Sequence, residues 1–286
     1  MENNPQVAIM MPVYNGEKTL SLAISSLIHQ TYNNWKCYIV NDGSTDRTKE
    51  ILDNLKDERF VVTHFEKNKG RPYARQAVLD KAEGKYLAML DADDFYHPDK
   101  LSIQVAYMES NPNIYLTGTG VGSFDNTKGE LLRIRGNKKI YSKQFNIGQE
   151  LAVVHGSCML KLTEAKKISY NNELKYAQDM DFLTRYLINR HYANLADILY
   201  YYSEFNSVTA KKILITRWYG LIRKFNLIQH APLKMSLSVI KHILKWLLTA
   251  ILIPFVGVDY FIKNRGTSPS SIEIEHFKQI FSNFTK

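Results

Sequence analysis

An acidic segment, Asp91-Ala92-Asp93-Asp94, directly follows the apolar run at residues 86–90 and has the residue types best suited to chemistry. Three carboxylates within four residues repel one another unless a cation neutralises them. Mg²⁺ and Mn²⁺ favour oxygen ligands, and they commonly join one or two carboxylates to a bound phosphate. The segment therefore predicts a cation site, although Asp94 could instead cap a helix opened by Pro98.

Two other polar segments, at residues 12–15 and 41–46, also follow apolar runs. Asp42 could accept a hydrogen bond from a pyrimidine base. An Asp-Gly pair is also an ordinary turn, and a later residue such as Asp46 could cap the next helix. Tyr14 could stack on a base, or it could close the protein core. Both interpretations of each segment remain open on these residues alone.

The remaining candidate side chains lie at residues 68–75 and 178–181. The first segment places three cations near a helix start, and both helix N-termini and arginine suit a diphosphate. Arg75 could instead pair with the acidic segment as a structural strut. In the second segment, Asp179 could act as a general base towards an acceptor hydroxyl, or it could cap a helix.

The elements that must position these side chains alternate between strand and helix patterns. Apolar runs typical of buried strands occur at residues 7–13, 35–40, 60–65 and 86–90, with helical spacing between them. This order predicts an α/β fold with a mostly parallel sheet and helices on both faces. Ligands of such sheets bind beyond the carboxyl ends of the strands, so four loops should converge there. These loops are residues 14–16, 41–46, 67–71 and 91–97.

Beyond residue 112 the pattern changes. Residues 114–124 are strand-like, and residues 131–134 are expected to pair back with them after a turn. Residues 180–188 have helical spacing, and the chain from about residue 205 onward is predicted to be helical. We therefore expect a main domain of residues 1–210 and a helical extension of residues 211–286.

The composition limits the class of protein. With 286 residues, 45% of them hydrophobic, the chain is long enough for one large α/β domain and an appendage. Its two cysteines, Cys37 and Cys158, are too few for a disulfide framework or a zinc cluster. The first five residues are polar and show no secretory signal, so we expect a reducing, cytoplasmic compartment.

The net charge of +9 is concentrated in the C-terminal part of the chain. From residue 205 onward there are nine lysines and three arginines against three acidic residues. A basic tail indicates anionic lipid or nucleic acid, or simply a solvated basic face. The basic residues alternate with long apolar runs, which favours lipid, and we expect no nucleic-acid partner.

An uncharged run of 13 residues, 246–258, lies within this tail. About 20 apolar residues are needed to cross a bilayer, and Pro254 would kink a helix, so a single span is disfavoured. Residues 237–262 could form an interfacial helix with Trp246, Lys241, Lys245 and Lys263 near the headgroups. The protein would then be peripheral at the cytoplasmic face of the inner membrane. A hairpin buried against the main domain is the alternative.

Together these motifs resemble the inverting family-2 glycosyltransferases, of the type that builds bacterial surface polysaccharides, which have the GT-A fold. The resemblance covers roughly residues 7–210 and rests on the order and spacing of segments 11–15, 40–46, 68–75, 84–86, 90–94, 178–181 and 199–202. It implies transfer of a sugar from a nucleotide diphosphate-sugar, usually a UDP-sugar, to a saccharide or lipid-linked saccharide.

The resemblance also implies roles for single residues. Asp42 would hold the base, and Arg75 would support the pocket near the diphosphate. Asp91 would lie by the ribose and the metal, and Asp93 would ligate Mn²⁺ or Mg²⁺. Asp179 matches the family's catalytic base. The residues lining the nucleotide pocket would be Pro12, Tyr14, Asn15 and Ala92.

Three departures from the family pattern concern the acceptor and metal sides. Gln178 stands where the family commonly has Glu, which makes Asp181 a fallback base. Residues 203–206 replace the family's Arg and His, so His155 would be a substitute metal ligand, unless it is structural. Gln76 replaces an Asn. A catalytically inactive nucleotide-sugar-binding relative is therefore the alternative to an active enzyme.

Overall fold

The computed structural model describes residues 5–136, 139–204, 209–263 and 265–285. Residues 1–4, which contributed to the expectation about a secretory signal, lie outside this part. Strands and helices alternate at first, in the order β1 (Val7–Val13), α1 (Leu20–Ile28), β2 (Trp35–Asn41), α2 (Thr48–Asp53), β3 (Phe60–His64), α3 (Arg71–Lys81) and β4 (Tyr86–Met89). The predicted alternation is confirmed.

The middle of the chain is richer in strands. Its elements are β5 (Phe95–Tyr96), α4 (Lys100–Ser110), β6 (Ile114–Asp125), β7 (Glu130–Arg135), β8 (Tyr141–Gln144), β9 (Met159–Lys161), α5 (Leu162–Ala165), α6 (Gln178–Leu187) and β10 (His191–Ser203). β7 pairs antiparallel with β6, as predicted for residues 131–134. α4 begins at Lys100, two residues after Pro98, so Pro98 is not the first residue of this helix.

The described strands form one sheet in the order β3-β2-β1-β4-β9-β6-β10-β5, with β7 and β8 paired at its side. β1 to β4 are parallel. β9 is antiparallel to both β4 and β6, so β6 and β10 point the same way as the first four strands. The carboxyl ends of the long strands therefore meet at one edge.

Helices cover both faces of the sheet, because alternate side chains of each strand point to opposite faces. In β1, Val7, Ile9 and Met11 pack in a core with α1, α2 and α4. Ala8 and Met10 face the other way, into a core with α3 and α6. The predicted α/β class with helices on both faces is confirmed.

The C-terminal helices are α7 (Ala210–Asn226), α8 (Pro232–Lys263) and α9 (Ser271–Phe284). α7 and α8 pack antiparallel. Trp246 donates to the Leu214 carbonyl at 3.1 Å, and Lys224 Nζ donates to Ser238 Oγ at 2.8 Å. Gly257, with a φ of 73°, interrupts α8 near its end.

α9 returns to the sheet. Its Phe277, Ile280 and Phe284 are buried in a cluster with Phe95 and Phe124, next to the acidic segment. The predicted extension 211–286 therefore has two parts: the α7–α8 pair, and a last helix that packs with the main core.

α8 contacts the rest of the protein over little of its surface. By length and composition alone, Pro232–Val258 could cross a membrane, with a mean hydropathy of 1.8 and 11% of its most apolar part buried. A hairpin buried against the main domain is therefore not observed. Seven large apolar side chains, each 54–82% exposed, recur every three or four residues as one stripe: Leu233, Leu237, Ile240, Leu244, Leu248, Ile251 and Phe255. We call these residues the α8 stripe.

Candidate active site

Asp42 follows β2 and holds the neighbouring loop by hydrogen bonds. Its two carboxylate oxygens accept from the backbone N–H groups of Lys69 and Gly70, at 2.7 and 2.9 Å. Gly43 has a φ of 65°, and a Cβ there would lie 2.3 Å from the carbonyl carbon of Lys67. Both the Asp-Gly turn and a pocket-facing role for Asp42 are thus compatible with this geometry. Either way, loops 41–46 and 67–71 converge as predicted.

Asn15 links the first loop to the second. Its N–H donates to Ser44 Oγ at 2.9 Å, and its Oδ1 accepts from the Thr45 N–H at 2.9 Å. Its φ of 52° is left-handed, a conformation that Asn tolerates better than most residues. Tyr14 is 49% exposed, so it does not close the core. Its ring remains available to a ligand, next to the partly buried Pro12.

Arg75, on α3, forms an ion pair with Asp91 beyond β4, with Nη2 and Oδ1 2.9 Å apart. The predicted strut is therefore present. Burial raises the pKa of Asp91, but the nearby charges of Arg75 and Arg71 outweigh it and lower that pKa to about 2. Asp91 is thus held as a carboxylate. Arg75 Nε and Nη1 are buried without a hydrogen-bond partner.

Asp93 lies two residues after Asp91 and is exposed. It makes no hydrogen bond or ion pair with another described side chain. The surrounding protein and the charge of Asp91 raise the pKa of Asp93, while Arg71 and Lys212 offset only part of this effect. A cation bound here would relieve the repulsion between the two carboxylates. Ala92, between them, is buried.

Asp94 is not a helix cap, so that interpretation was wrong. It is fully buried and accepts hydrogen bonds from the Tyr200 hydroxyl and, at 2.7 Å, from the Ser203 N–H. The Asp91 N–H also donates to the Tyr200 oxygen, at 3.4 Å. Asp94 therefore fastens the acidic segment to β10, and its complete burial keeps it away from a ligand.

Asp179 lies in the first turn of α6 and is partly exposed. Its charge acts on Arg75 and His155, and Asp91 acts on the same two side chains. The structure thus brings the predicted base to the carboxylates of the acidic segment, although more than 80 residues separate them in sequence. Asp181, the fallback base, is buried and paired with Arg185 at 2.7 Å, so its carboxylate already has a partner within the protein.

The structure accounts for the two glutamines that differ from the family pattern. Gln178 is explained by its burial, and Gln76 is explained by a hydrogen bond. Gln178 is 4% exposed, so a neutral amide avoids the cost of burying a charge there. Gln76 Oε1 accepts from the Tyr170 N–H at 2.9 Å and ties α3 to the segment that precedes α6.

His155 is buried at the start of a short 3-10 helix, His155–Ser157. Its Nε2 is 3.3 Å from the Tyr170 hydroxyl, and its Nδ1 is buried without a partner. Burial, together with the charge of Arg75, lowers the pKa of His155 to about 4. The ring is therefore neutral at pH 7. Phe205 and Asn206, the other positions of this departure, lie outside the described residues.

Across the described ranges, no three His, Cys, Asp or Glu side chains form a ready-made cation site. Asp91 and Asp93 nevertheless fit a hard divalent cation, because Mg²⁺ usually takes only one or two carboxylates and completes its shell with phosphate and water oxygens. His155 is not required for such a ligand set.

Sequence reasoning missed four side chains of the site: Tyr170, Tyr200, Lys212 and Arg223. Tyr200 belonged to a segment already noted, but its partner Asp94 lies 106 residues away. For Lys212 and Arg223 a signal was available, since residues 11 apart lie on one face of a helix. The apolar runs of the C-terminal part drew attention to a membrane surface instead, so these two residues were not considered as part of the site.

Comparisons with known proteins agree with this geometry. The model of the family "Glycosyl transferase family 2" matches residues 8–167. The enzyme WfgD of Escherichia coli, named as a UDP-Glc:alpha-D-GlcNAc-diphosphoundecaprenol beta-1,3-glucosyltransferase, is 38% identical over 112 residues, 39% of this chain and 44% of that protein. The chain spans between 16% and 66% of the length of the first curated relatives it matches.

Two solved structures share the fold. TarS 1–349 of Staphylococcus aureus, in complex with UDP, has a TM-score of 0.62 and 20% identity over 77% of this chain and 66% of that one. The mannosyltransferase PcManGT of Pyrobaculum calidifontis, in complex with GDP-Man and Mn²⁺, has a TM-score of 0.62 and 12% identity over 99% and 86%. The predicted GT-A-like fold is confirmed. Because the family model covers more than half of the 286 residues, the chain belongs to glycosyl transferase family 2 and is a glycosyltransferase.

Proposed function

We propose that the chain is a metal-dependent, inverting transferase that moves a sugar from a UDP-sugar to a saccharide or lipid-linked saccharide. One observation carries the proposal: Asp91, held by Arg75, lies with the exposed Asp93 at the sheet edge where Asp179 also arrives. A donor diphosphate and an acceptor hydroxyl can therefore be bound side by side. The name of WfgD supports UDP as the nucleotide.

On the donor side, Tyr14 and Asp42 would bind the base, in a pocket lined by Pro12, Asn15 and Ala92. Asp91 and Asp93 would hold Mn²⁺ or Mg²⁺, and the Mn²⁺ in the PcManGT complex supports this assignment. The metal would neutralise charge on the diphosphate as it leaves. Arg75 keeps Asp91 ionised and in place.

On the acceptor side, Asp179 would take the proton of the attacking hydroxyl. The acceptor oxygen forms a bond to the anomeric carbon, and the bond from that carbon to the diphosphate oxygen breaks on the opposite side. The configuration at this carbon is therefore inverted. One protein base is enough, because the leaving diphosphate needs no proton from a second carboxyl group.

The proposed donor chemistry is tested with a panel of UDP- and GDP-sugars in the presence of Mn²⁺ or Mg²⁺. We expect one donor to be hydrolysed or to have its sugar transferred, and we expect Asp93→Ala to lower that turnover at least hundredfold. The variant should keep its fold, because the Asp93 side chain is exposed. Turnover that is undiminished in Asp93→Ala would contradict the proposal.

A catalytically inactive relative is distinguished by the same experiment. It would bind UDP tightly, transfer no sugar to any acceptor, and behave identically as Asp179→Asn. Gln178 does not favour an inactive protein. It is buried, where a neutral amide is suitable, and the neighbouring Asp179 remains partly exposed.

We also propose that the protein is cytoplasmic and rests on the cytoplasmic face of the inner membrane through the α8 stripe. Lys234, Lys241 and Lys245 each follow a residue of the stripe by one position, so cations flank an apolar face, as in helices that lie on anionic bilayers. A second copy of the chain would bring these like charges together.

Spanning the membrane is less favourable than lying on it. Lys245 occupies the centre of Pro232–Val258, where a lysine costs about 3 kcal/mol in a bilayer. The side chain of Lys263, the other cation predicted at the headgroups, lies outside the described part.

A further inference from the structure

α7 lies outside the residues matched by the family model, yet it reaches both sides of the active site. Lys212, in its first turn, is close enough to Asp93 for its charge to act on that carboxylate. Near the other end, the charges of Asp181 and Asp179 act on Arg223. A single helix therefore runs from the metal-binding side to the catalytic base.

Lys212 and Arg223 lie on one stripe of α7. Positions 212, 216, 219 and 223 follow the spacing i, i+4, i+7 and i+11, which places them on one helix face about 16 Å long. Tyr219 fixes the middle of this face, since its ring lies 5.4 Å from that of Tyr176, just before α6. Lys212 and Thr216 are exposed. We call Lys212, Thr216, Tyr219 and Arg223 the α7 face.

Arg223 is held in place but has no carboxylate partner. Its Nη1 donates to Thr184 Oγ1 at 2.7 Å, and its Nε is buried without a hydrogen-bond partner. Within the described ranges it forms no ion pair, and neither does the partly buried Arg217, whereas six other partly or fully buried arginines do: Arg59, Arg75, Arg133, Arg135, Arg185 and Arg190. Burial lowers the pKa of Arg223. An anion bound beside it would restore the lost interactions.

We propose that the α7 face binds an anionic group of the acceptor, a phosphate or diphosphate, and thereby brings the acceptor hydroxyl to Asp179. This inference rests on the proposed function and names the acceptor's chemical class. Arg223 suits the group because its guanidinium offers paired donors to phosphate oxygens, and Lys212 adds a mobile point charge.

The position of α7 connects this site to the α8 stripe. α7 packs on α8 through Lys224 and Ser238 and through Leu214 and Trp246. It packs on α6 through Arg223 and Thr184. Only one helix thus separates the proposed membrane surface from the element that carries the base. A prenyl diphosphate carrier and a soluble phosphorylated saccharide would both supply the required anion.

The test uses the full chain with its donor pocket filled by saturating UDP and excess Mg²⁺. Farnesyl diphosphate, inorganic pyrophosphate and farnesol serve as probes in titration calorimetry. We expect farnesyl diphosphate to bind and farnesol to bind at least tenfold more weakly. A charge-assisted hydrogen bond contributes about ten- to hundredfold in affinity, so Lys212→Gln and Arg223→Gln should each weaken binding by about tenfold or more.

Lys211→Gln is the matched control, because it removes the same charge from the neighbouring exposed position. Arg223→Lys should restore part of the affinity. If Arg223→Gln fails to fold, Lys212→Gln still tests the inference, because Lys212 is exposed. Pyrophosphate binding as tightly as farnesyl diphosphate indicates a soluble anionic acceptor, and weaker binding indicates a prenyl carrier; both support the site.

The inference is overturned if UDP still binds while the diphosphate probes do not, or if both glutamine variants bind them as the wild type does. If the proposed function itself is wrong, the result is different: the wild type would not bind UDP when the donor pocket is filled at the start of the test.

Discussion

Arg75 Nη2 lies 2.9 Å from Asp91 Oδ1, and the arginine side chain is 3% exposed while 33% of the aspartate side chain remains open. The pair therefore has a closed side towards the core and an open side towards the ligand. The contribution of this ion pair to the stability of the fold depends on both partners, because a buried charge that loses its partner keeps its full desolvation cost.

Arg75→Met is expected to lower the free energy of unfolding by about 3 kcal/mol, measured by urea denaturation. The matched control is Arg47→Met, whose pair with Glu50 is exposed and screened by solvent, so its loss should leave stability almost unchanged. Equal effects of the two substitutions would show that burial does not matter at Arg75.

Tyr200→Phe should lower the free energy of unfolding by about 1–3 kcal/mol, because it leaves one oxygen of the buried Asp94 without its donor. Thermal unfolding measures the change. Tyr201→Phe removes a neighbouring hydroxyl that makes no hydrogen bond with a described residue and should cost less than about 1 kcal/mol. A Tyr200→Phe protein as stable as the wild type would contradict the role assigned to this contact.

Lys100 provides a prediction about pH. It is fully buried, donates to Gln104 Oε1 at 2.6 Å, and has its pKa lowered by burial to about 7. Between pH 7 and about 10 the unfolded chain binds more protons at this position than the folded chain, so its contribution to stability rises with pH. Lys100→Met should therefore be most favoured over the wild type near pH 7.

The difference in Tm between Lys100→Met and the wild type, measured from pH 7 to pH 10, should shift steadily in favour of the wild type. Lys128→Met, at an exposed position, should show a constant difference. A constant difference for Lys100→Met as well would mean that the folded protein keeps this ammonium charged throughout.

Membrane association is expected to depend on the α8 stripe. Leu244→Asp should weaken binding to phosphatidylglycerol vesicles by about tenfold or more, measured by sedimentation, because it places a charge in the apolar face. Ile272→Asp is the control, since Ile272 is 79% exposed but lies on α9. Equal binding of the wild type and both variants would exclude the stripe as the contact surface.

The donor side could be predicted from the sequence because strand ends are local signals. Once β1, β2 and β4 are parallel, Asn15, Asp42 and Asp91 must follow their strands at one edge, and the observed contacts between these loops confirm it. Strand period and turn residues were sufficient to reach this conclusion.

Other features could not be predicted because they depend on packing between distant segments. Nothing near Asp94 in the sequence indicates that Tyr200 and Ser203 will bind it, so a helix cap was an equally good explanation. Lys100 likewise resembles a surface residue until α4 is packed against the sheet. In the tail, an amphipathic pattern shows that α9 has an apolar face but not which surface will cover it.

The burial of Phe277 and Phe284 against Phe95 has a practical consequence for dissecting the molecule. The catalytic unit is discontinuous: its last helix lies after the α7–α8 insertion in the chain. Truncation after β10 would remove α9 together with α7 and α8, and it would expose Phe95 beside the acidic segment and disturb the site. A derivative without the α8 stripe would instead need an internal deletion within α8, with residues 265–285 retained.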